Sequence, residues 1–204
     1  MDSIAPPPAP IPKSITATLR DGTNIRLRPI RPDDEDQIEQ GIRDMSDRSR
    51  YLRFFSAFKA APPSVVKRLA DVDGVFHIGW GMVNLDLGDC PAFAAAHIIR
   101  DGEGDHCGEF SIAILDEYQS RGASRLLTAS IFAHALHEGI TDLRMDMLSE
   151  NSKARRLILA LGATLASSEG PVSHYRLDVR TALAALKKME KPEAIREIFK
   201  AFGI

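Results

Sequence analysis

The pattern of apolar and polar positions divides the chain into segments of two periods. Residues 15–19 and 24–28 alternate around Asp21-Gly22, which predicts a β-hairpin. Pro29 and Pro32 end it. Residues 33–45 then carry Ile38, Ile42 and Met45 at helical spacing behind an acidic first turn, which suits the positive end of a helix dipole. Ser46 can cap a second helix, whose Tyr51, Phe54 and Phe55 are expected to face the core. Pro62-Pro63 opens a third helix ending near Asp71. Residues 75–85, 92–100 and 107–115 change to short apolar or alternating runs between Gly and Asp clusters, as three successive antiparallel strands would, with Trp80 in the core.

Residues 124–138 return to the helical period and stop at Gly139. A strand at 142–148 alternates Leu143, Met145 and Met147 with polar residues. A helix over 151–161 closes at Gly162, and a last strand lies near 174–179. Beyond it the chain reads as two helical pieces, the second opening at Pro192 and carrying Ile195, Ile198, Phe199 and Phe202 along one stripe. The succession predicts one α/β domain built on a mixed, mostly antiparallel sheet, with a single right-handed parallel crossover joining the strand that ends at Leu115 to the one that starts at Asp142. Five prolines within the first twelve residues mark 1–13 as a tail. Residues 14–180 form the domain, and 181–204 a helical extension that could cap the sheet, form a homodimer contact or fold over a substrate groove.

Composition narrows the class. In 204 residues, 26 Lys and Arg stand against 28 Asp and Glu, a net charge of -2, so the chain lacks the dense basic face of a nucleic-acid binder. It contains no apolar run of membrane-spanning length and no secretory leader pattern, which predicts a cytoplasmic protein without membrane contact. Cys90 and Cys107 read as reduced thiols. His134 and His137, three apart, make a poor metal pair, so no metal site is expected.

The chemistry concentrates in two turns. In residues 109–125, EFSIAILDEYQSRGASR, a strand runs through Gln119-Ser120-Arg121-Gly122-Ala123-Ser124 directly into a helix. Such a turn can aim backbone N–H groups and the positive helix end at an anion, though it can equally be an ordinary connection. Ser149-Glu150-Asn151-Ser152-Lys153-Ala154 repeats the arrangement at the end of the next strand, where Asn151 or Ser149 could also be a plain N-cap. The crossover makes the two strands parallel. Both helices therefore start on one edge of the sheet, where an extended ligand could bridge them.

The Q-x-x-G-x-small turn followed by N-x-x-A resembles the GCN5-related N-acetyltransferase (GNAT) superfamily over residues 24–179. MSDRSRYLRFFS at 45–56 with Glu109-Phe110 is similar to bacterial protein lysine acetyltransferases and to acetyltransferase domains fused to acyl-CoA synthetases. The resemblance implies a sheet splayed between the parallel pair that the family counts as its fourth and fifth strands, and acetyl-CoA as cosubstrate. Backbone groups of Ile112, Ala113 and Ile114 would hold the pantetheine arm as an added strand. The Gln119 loop, through N–H groups of Ser120, Arg121, Gly122, Ala123 and Ser124 and with the Arg121 side chain assisting, would hold the pyrophosphate, and Asn151 would hydrogen-bond the pantetheine. Lys153, Arg155 and Arg156 would either assist at the phosphates or form a solvated face. Two departures stand out. Ser124 replaces the last loop glycine, and Ile158 occupies the position where many members place a tyrosine acid.

A lysine amine is only about one part in 2,500 neutral at pH 7, a cost of about 4.6 kcal/mol that a base offsets. Glu109 is the expected base, flanked by apolar residues that would raise its pKa, with Asp116 and Glu117 as rivals. His97 is either structural or a cleft residue. The acceptor is expected to be a protein lysine, with a small amine as the alternative. A catalytically silent acyl-CoA-binding module would carry the same cofactor motifs.

Overall fold

The computed structural model describes residues 10–56, 58–189 and 194–204. Most of the 1–13 tail and the Pro192 helix start lie outside them. The strands are β1 (Ile15–Thr18), β2 (Asn24–Pro29), β3 (His77–Asn84), β4 (Ala92–Arg100), β5 (Cys107–Ile114), β6 (Asp142–Leu148), β7 (Thr164–Glu169) and β8 (Val172–Asp178). They form one mixed sheet in the order β1-β2-β3-β4-β5-β6-β8-β7, parallel only between β5 and β6. The helices are α1 (Glu35–Asp44), α2 (Asp47–Phe54), α3 (Pro63–Ala70), α4 (Ala123–His137), α5 (Ser152–Ala160), α6 (Val179–Lys187) and α7 (Ile195–Ala201).

The crossover helix α4 is apolar almost all round, and its position explains why. It lies between the sheet and the pair α6 and α7, so Leu126, Leu127, Ile131 and Phe132 are all fully buried. The C-terminal pieces therefore cover this face of the sheet, with Leu183, Leu186, Ile198 and Phe199 in the same core. Trp80 of β3 is buried there too. It packs on Phe202 at 5.7 Å between ring centroids, and its Nε1–H donates to His134 Nδ1 at 3.0 Å.

Helices α1, α2 and α3 lie on the opposite face. Gly79 permits close packing there, since a Cβ would stand 2.8 Å from Val72 Cγ1. The second helix departs from expectation. Tyr51 and Phe55 are exposed and Phe54 is only partly buried, because α2 packs one side over β5 and β6 and turns the other to solvent. Its buried residue is Arg50, whose guanidinium donates to the carbonyls of Ile42 and Met45 at 3.2 Å each. Strand β7 was not expected from the pattern. All six of its residues are exposed, so it shows no apolar alternation, and pairing with β8 makes it a strand.

Two outcomes follow from this packing. Leu186→Ala should cost about 2–5 kcal/mol in urea unfolding, while Leu159→Ala, at an exposed position of α5, should stay within about 0.5 kcal/mol. Burial draws His134 down to about 4 despite the nearby Glu138 carboxylate. The unfolded chain, with histidine near 6.5, binds that proton first, so this contribution is complete above about pH 6.5 and is lost as pH falls toward 4. Between pH 7 and 5, wild type should lose about 2 kcal/mol more stability than His134→Gln, a substitution that keeps an acceptor for Trp80 but does not titrate.

Candidate active site

The site begins where β5 and β6 separate. Their parallel ladder has three rungs, Cys107↔Asp142, Gly108↔Leu143 and Glu109↔Arg144. Beyond these, β5 stays with β4 as far as Ile114, and β6 stays with β8 as far as Leu148. Gly108 fits the crowded apex, where a Cβ would stand 3.0 Å from the Ile99 carbonyl oxygen. A cleft of about 600 Å³ opens between the strands, within the range of small-ligand sites. Residues 110–114 form one wall, with the backbone groups that face β6 left outside any ladder.

The far end of the cleft is rich in donors. Ser120 has φ 64° and Gly122 has φ 98°, so the backbone curls before α4 starts at Ala123. Among the described residues, no backbone carbonyl accepts from the N–H groups of Ser120, Arg121, Gly122, Ala123 or Ser124. A curled run of N–H groups without backbone acceptors at the start of a 15-residue helix can hold an anion by geometry and dipole together. The start of α5 faces the same cleft. There Asn151 Oδ1 accepts from Ala154 N at 3.2 Å, so Asn151 is the N-cap, and its amide Nδ2 remains a donor.

Ion pairs and hydrogen bonds fasten the two turns. Gln119 Nε2 donates to the Ile114 carbonyl at 3.1 Å, and Gln119 Oε1 accepts from Lys153 Nζ at 2.8 Å, which links the loop to α5. Arg121 points elsewhere. It pairs with Asp21 at 2.5 Å, stacks over Tyr118 and anchors the β1–β2 hairpin. Ser120, Ser124, Asn151, Lys153 and Arg156 line the cleft, whereas Arg121, Gly122, Ala123 and Arg155 do not.

The catalytic candidates separate in the same way. Glu109 occupies the last rung before the split and lines the cleft, but its side chain is exposed rather than enclosed by its apolar neighbours. Asp116 accepts from Ser49 Oγ at 2.6 Å and from Ser46 N at 3.3 Å, which ties α2 to the loop. Burial alone would raise its carboxyl; the two serines outweigh that and leave it below the ordinary value, a poor base. Glu117 is exposed and lies outside the cleft lining. His97 is buried and lines a smaller neighbouring cavity instead of the cleft. Ile158 lines the cleft where a tyrosine acid would stand, and Tyr118 is committed to Asn84 Nδ2 at 3.0 Å.

The element pattern did not single out Arg53 of α2. It donates to Ser111 Oγ at 2.8 Å, two residues along β5 from Glu109, with its guanidinium 4.9 Å from the Phe54 ring centre. Burial lowers it to about 10 against the pull of Glu109, and the charge of Arg68 adds to the lowering. A cation spaced seven residues after the Ser46 cap was the available signal.

A domain with these features, two parted parallel strands with a helix start at the end of each, has room for an extended ligand along the strand edge and donors for an anion at its end. The sequence profile of the Acetyltransferase (GNAT) family matches residues 38–163, and the chain belongs to that family. It is 28% identical over 165 residues to acetyltransferase Pat of Mycolicibacterium smegmatis, covering 81% of this chain and 49% of Pat. The chain thus spans about half the length of that relative. Acetyltransferase PA5475 of Pseudomonas aeruginosa is 26% identical over 71% of this chain and 77% of its own. The crystal structure of the GNAT domain of S. lividans PAT superposes with a TM-score of 0.75 at 27% identity, covering 83% of this chain and 98% of that one.

Proposed function

We propose that this acetyltransferase moves an acetyl group from acetyl-CoA directly to a primary amine in a ternary complex, with a protein lysine as the preferred acceptor. The observation that carries the reading is the edge of residues 110–114, which lies outside any ladder on its β6 side and leads into five N–H groups without a backbone acceptor. The first suits an amide-bearing pantetheine arm and the second a pyrophosphate. Asn151 Nδ2 would donate to the arm from the β6 side, and Lys153 and Arg156 lie beside the phosphates. Main-chain donors would hold the pyrophosphate without Arg121, whose charge is already paired.

The thioester end then lies toward Glu109. Glu109 takes the acceptor proton directly or through one water as the amine attacks, and its exposure allows a polypeptide to reach it. The exposed Phe55, which caps α2 and lines the cleft, supplies an aromatic surface that suits a protein partner more than an enclosed small-amine pocket. The leaving thiolate takes its proton from water, because Ile158 carries no acid.

Calorimetry with acetyl-CoA and mass spectrometry of acetylated lysine-containing proteins test the reading together. Glu109→Gln should leave acetyl-CoA affinity within about twofold and slow transfer about 10²- to 10³-fold. Transfer at the wild-type rate would remove Glu109 as base. Binding of acetyl-CoA without acetylation of any protein or amine would favour a silent binding module.

A further inference from the structure

A second cavity lies beneath α1, on the face of the sheet opposite α4. It encloses about 90 Å³ and is walled mainly by apolar groups, with Ile38 and Ile42 above and Gly81, Ala95 and Ala113 below. These three small residues are consecutive partners across β3, β4 and β5, so they form a shallow trough in the sheet. Ala95 and Ala113 remain partly exposed in mid-sheet because nothing fills the space above them.

Apart from Arg53, which it shares with the cleft, the charged and titratable groups around this cavity compensate one another. Arg28 and Asp34 neutralise each other through two hydrogen bonds of 2.6 Å. The Asp71 carbonyl can only accept, so the 2.9 Å contact places a proton on His77 Nδ1. Burial lowers both His77 and His97 below their ordinary value, which favours the neutral pair, in which His77 Nε2 accepts from His97 Nδ1 at 3.1 Å. Burial and then the charge of Arg53 hold His97 well below its ordinary value, in agreement with a neutral ring.

The cavity and the cleft are neighbours. They share Met45, Arg53, Ala113 and Ile114, and Ala113 belongs to the strand segment proposed to carry the pantetheine arm. Resting on that cofactor reading, we propose that the trough beneath α1 receives the acyl tail of the thioester, so that the enzyme binds and transfers butyryl in preference to acetyl. An apolar cavity of about 150 Å³ holds the six carbons of benzene, so this one has room for about three to four carbons, matching the tail beyond a butyryl carbonyl. The reaction is unchanged in its balance. The amine nitrogen bonds to the acyl carbon, the carbon–sulfur bond breaks with its electron pair on sulfur, and the amine proton passes to Glu109.

Calorimetry with CoA, acetyl-CoA and butyryl-CoA tests the trough without an acceptor. Each buried methylene tightens binding about fourfold, so butyryl-CoA should bind about fifteenfold more tightly than acetyl-CoA. Ala95→Leu fills the trough and should abolish that difference while leaving acetyl-CoA within about twofold. Gly81→Ala is a gentler filling, since its Cβ would meet Ile30 Cγ1 at an ordinary 3.6 Å, and should reduce the difference. Equal affinity of wild type for the two thioesters, or equal weakening of both in each folded variant, would overturn the proposal. Failure to bind CoA itself would instead overturn the cofactor reading on which it rests.

Discussion

Everything in the proposed site depends on the short parallel contact between β5 and β6. Each strand has a longer antiparallel partner on its outer side, β4 for one and β8 for the other, and parallel pairing is the weaker kind. After three rungs the strands follow their outer partners and part. Separating leaves strand-edge groups unpaired, a cost in a buried setting that an opening to solvent relieves. The gap is therefore both a consequence of the sheet topology and a template for a ligand with amide groups of its own.

Such a template functions only if its ends stay in place. The rigid element is α4, enclosed by the sheet on one side and α6 and α7 on the other, so that its first turn is fixed relative to β5. The loop before it is held from three directions. Arg121 binds the hairpin through Asp21, Gln119 binds α5 through Lys153, and Asp116 binds α2 through Ser46 and Ser49. Side chains that a sequence reading would give to the ligand thus maintain the loop shape, while the main chain supplies the free donors. This division also explains how a chain with a net charge of -2 can suit a highly anionic cosubstrate. Oriented N–H groups act locally, and no global positive field is needed.

What the sequence revealed depended on whether local chemistry or tertiary packing decided the outcome. The Asp21-Gly22 hairpin, the Ser46 and Asn151 caps and the run of Gly122 into α4 are set by neighbouring residues, and each lies where the pattern places it. Strand β7 is the opposite case, with its polar sequence TLASSE in a strand only because β8 is beside it. Tyr51 and Phe55 misled for a related reason. Hydrophobicity marks a residue as suited to burial, but which side of α2 meets β5 and β6 and which meets solvent is a global matter. The exposure of Glu109 likewise depends on where the neighbouring strand departs.

The last consequence concerns the two faces of β5. Phe110 belongs to the core beneath α4, while Glu109, Ser111 and Ala113, on the alternate positions, face α1 and α2. A ligand lying along the strand edge meets both environments at once. In the proposed binding mode its long arm would be held by backbone geometry common to many sequences, whereas whatever projects toward α1 and α2 would meet Arg53, Ser111 and the small residues of β3 and β4. Specificity is therefore separable from cofactor binding in this fold. Changes among Gly81, Ala95 and Ala113 alter the volume offered to the transferred group without disturbing the N–H groups at the start of α4, which lie at the far end of the strand and are fixed by different contacts.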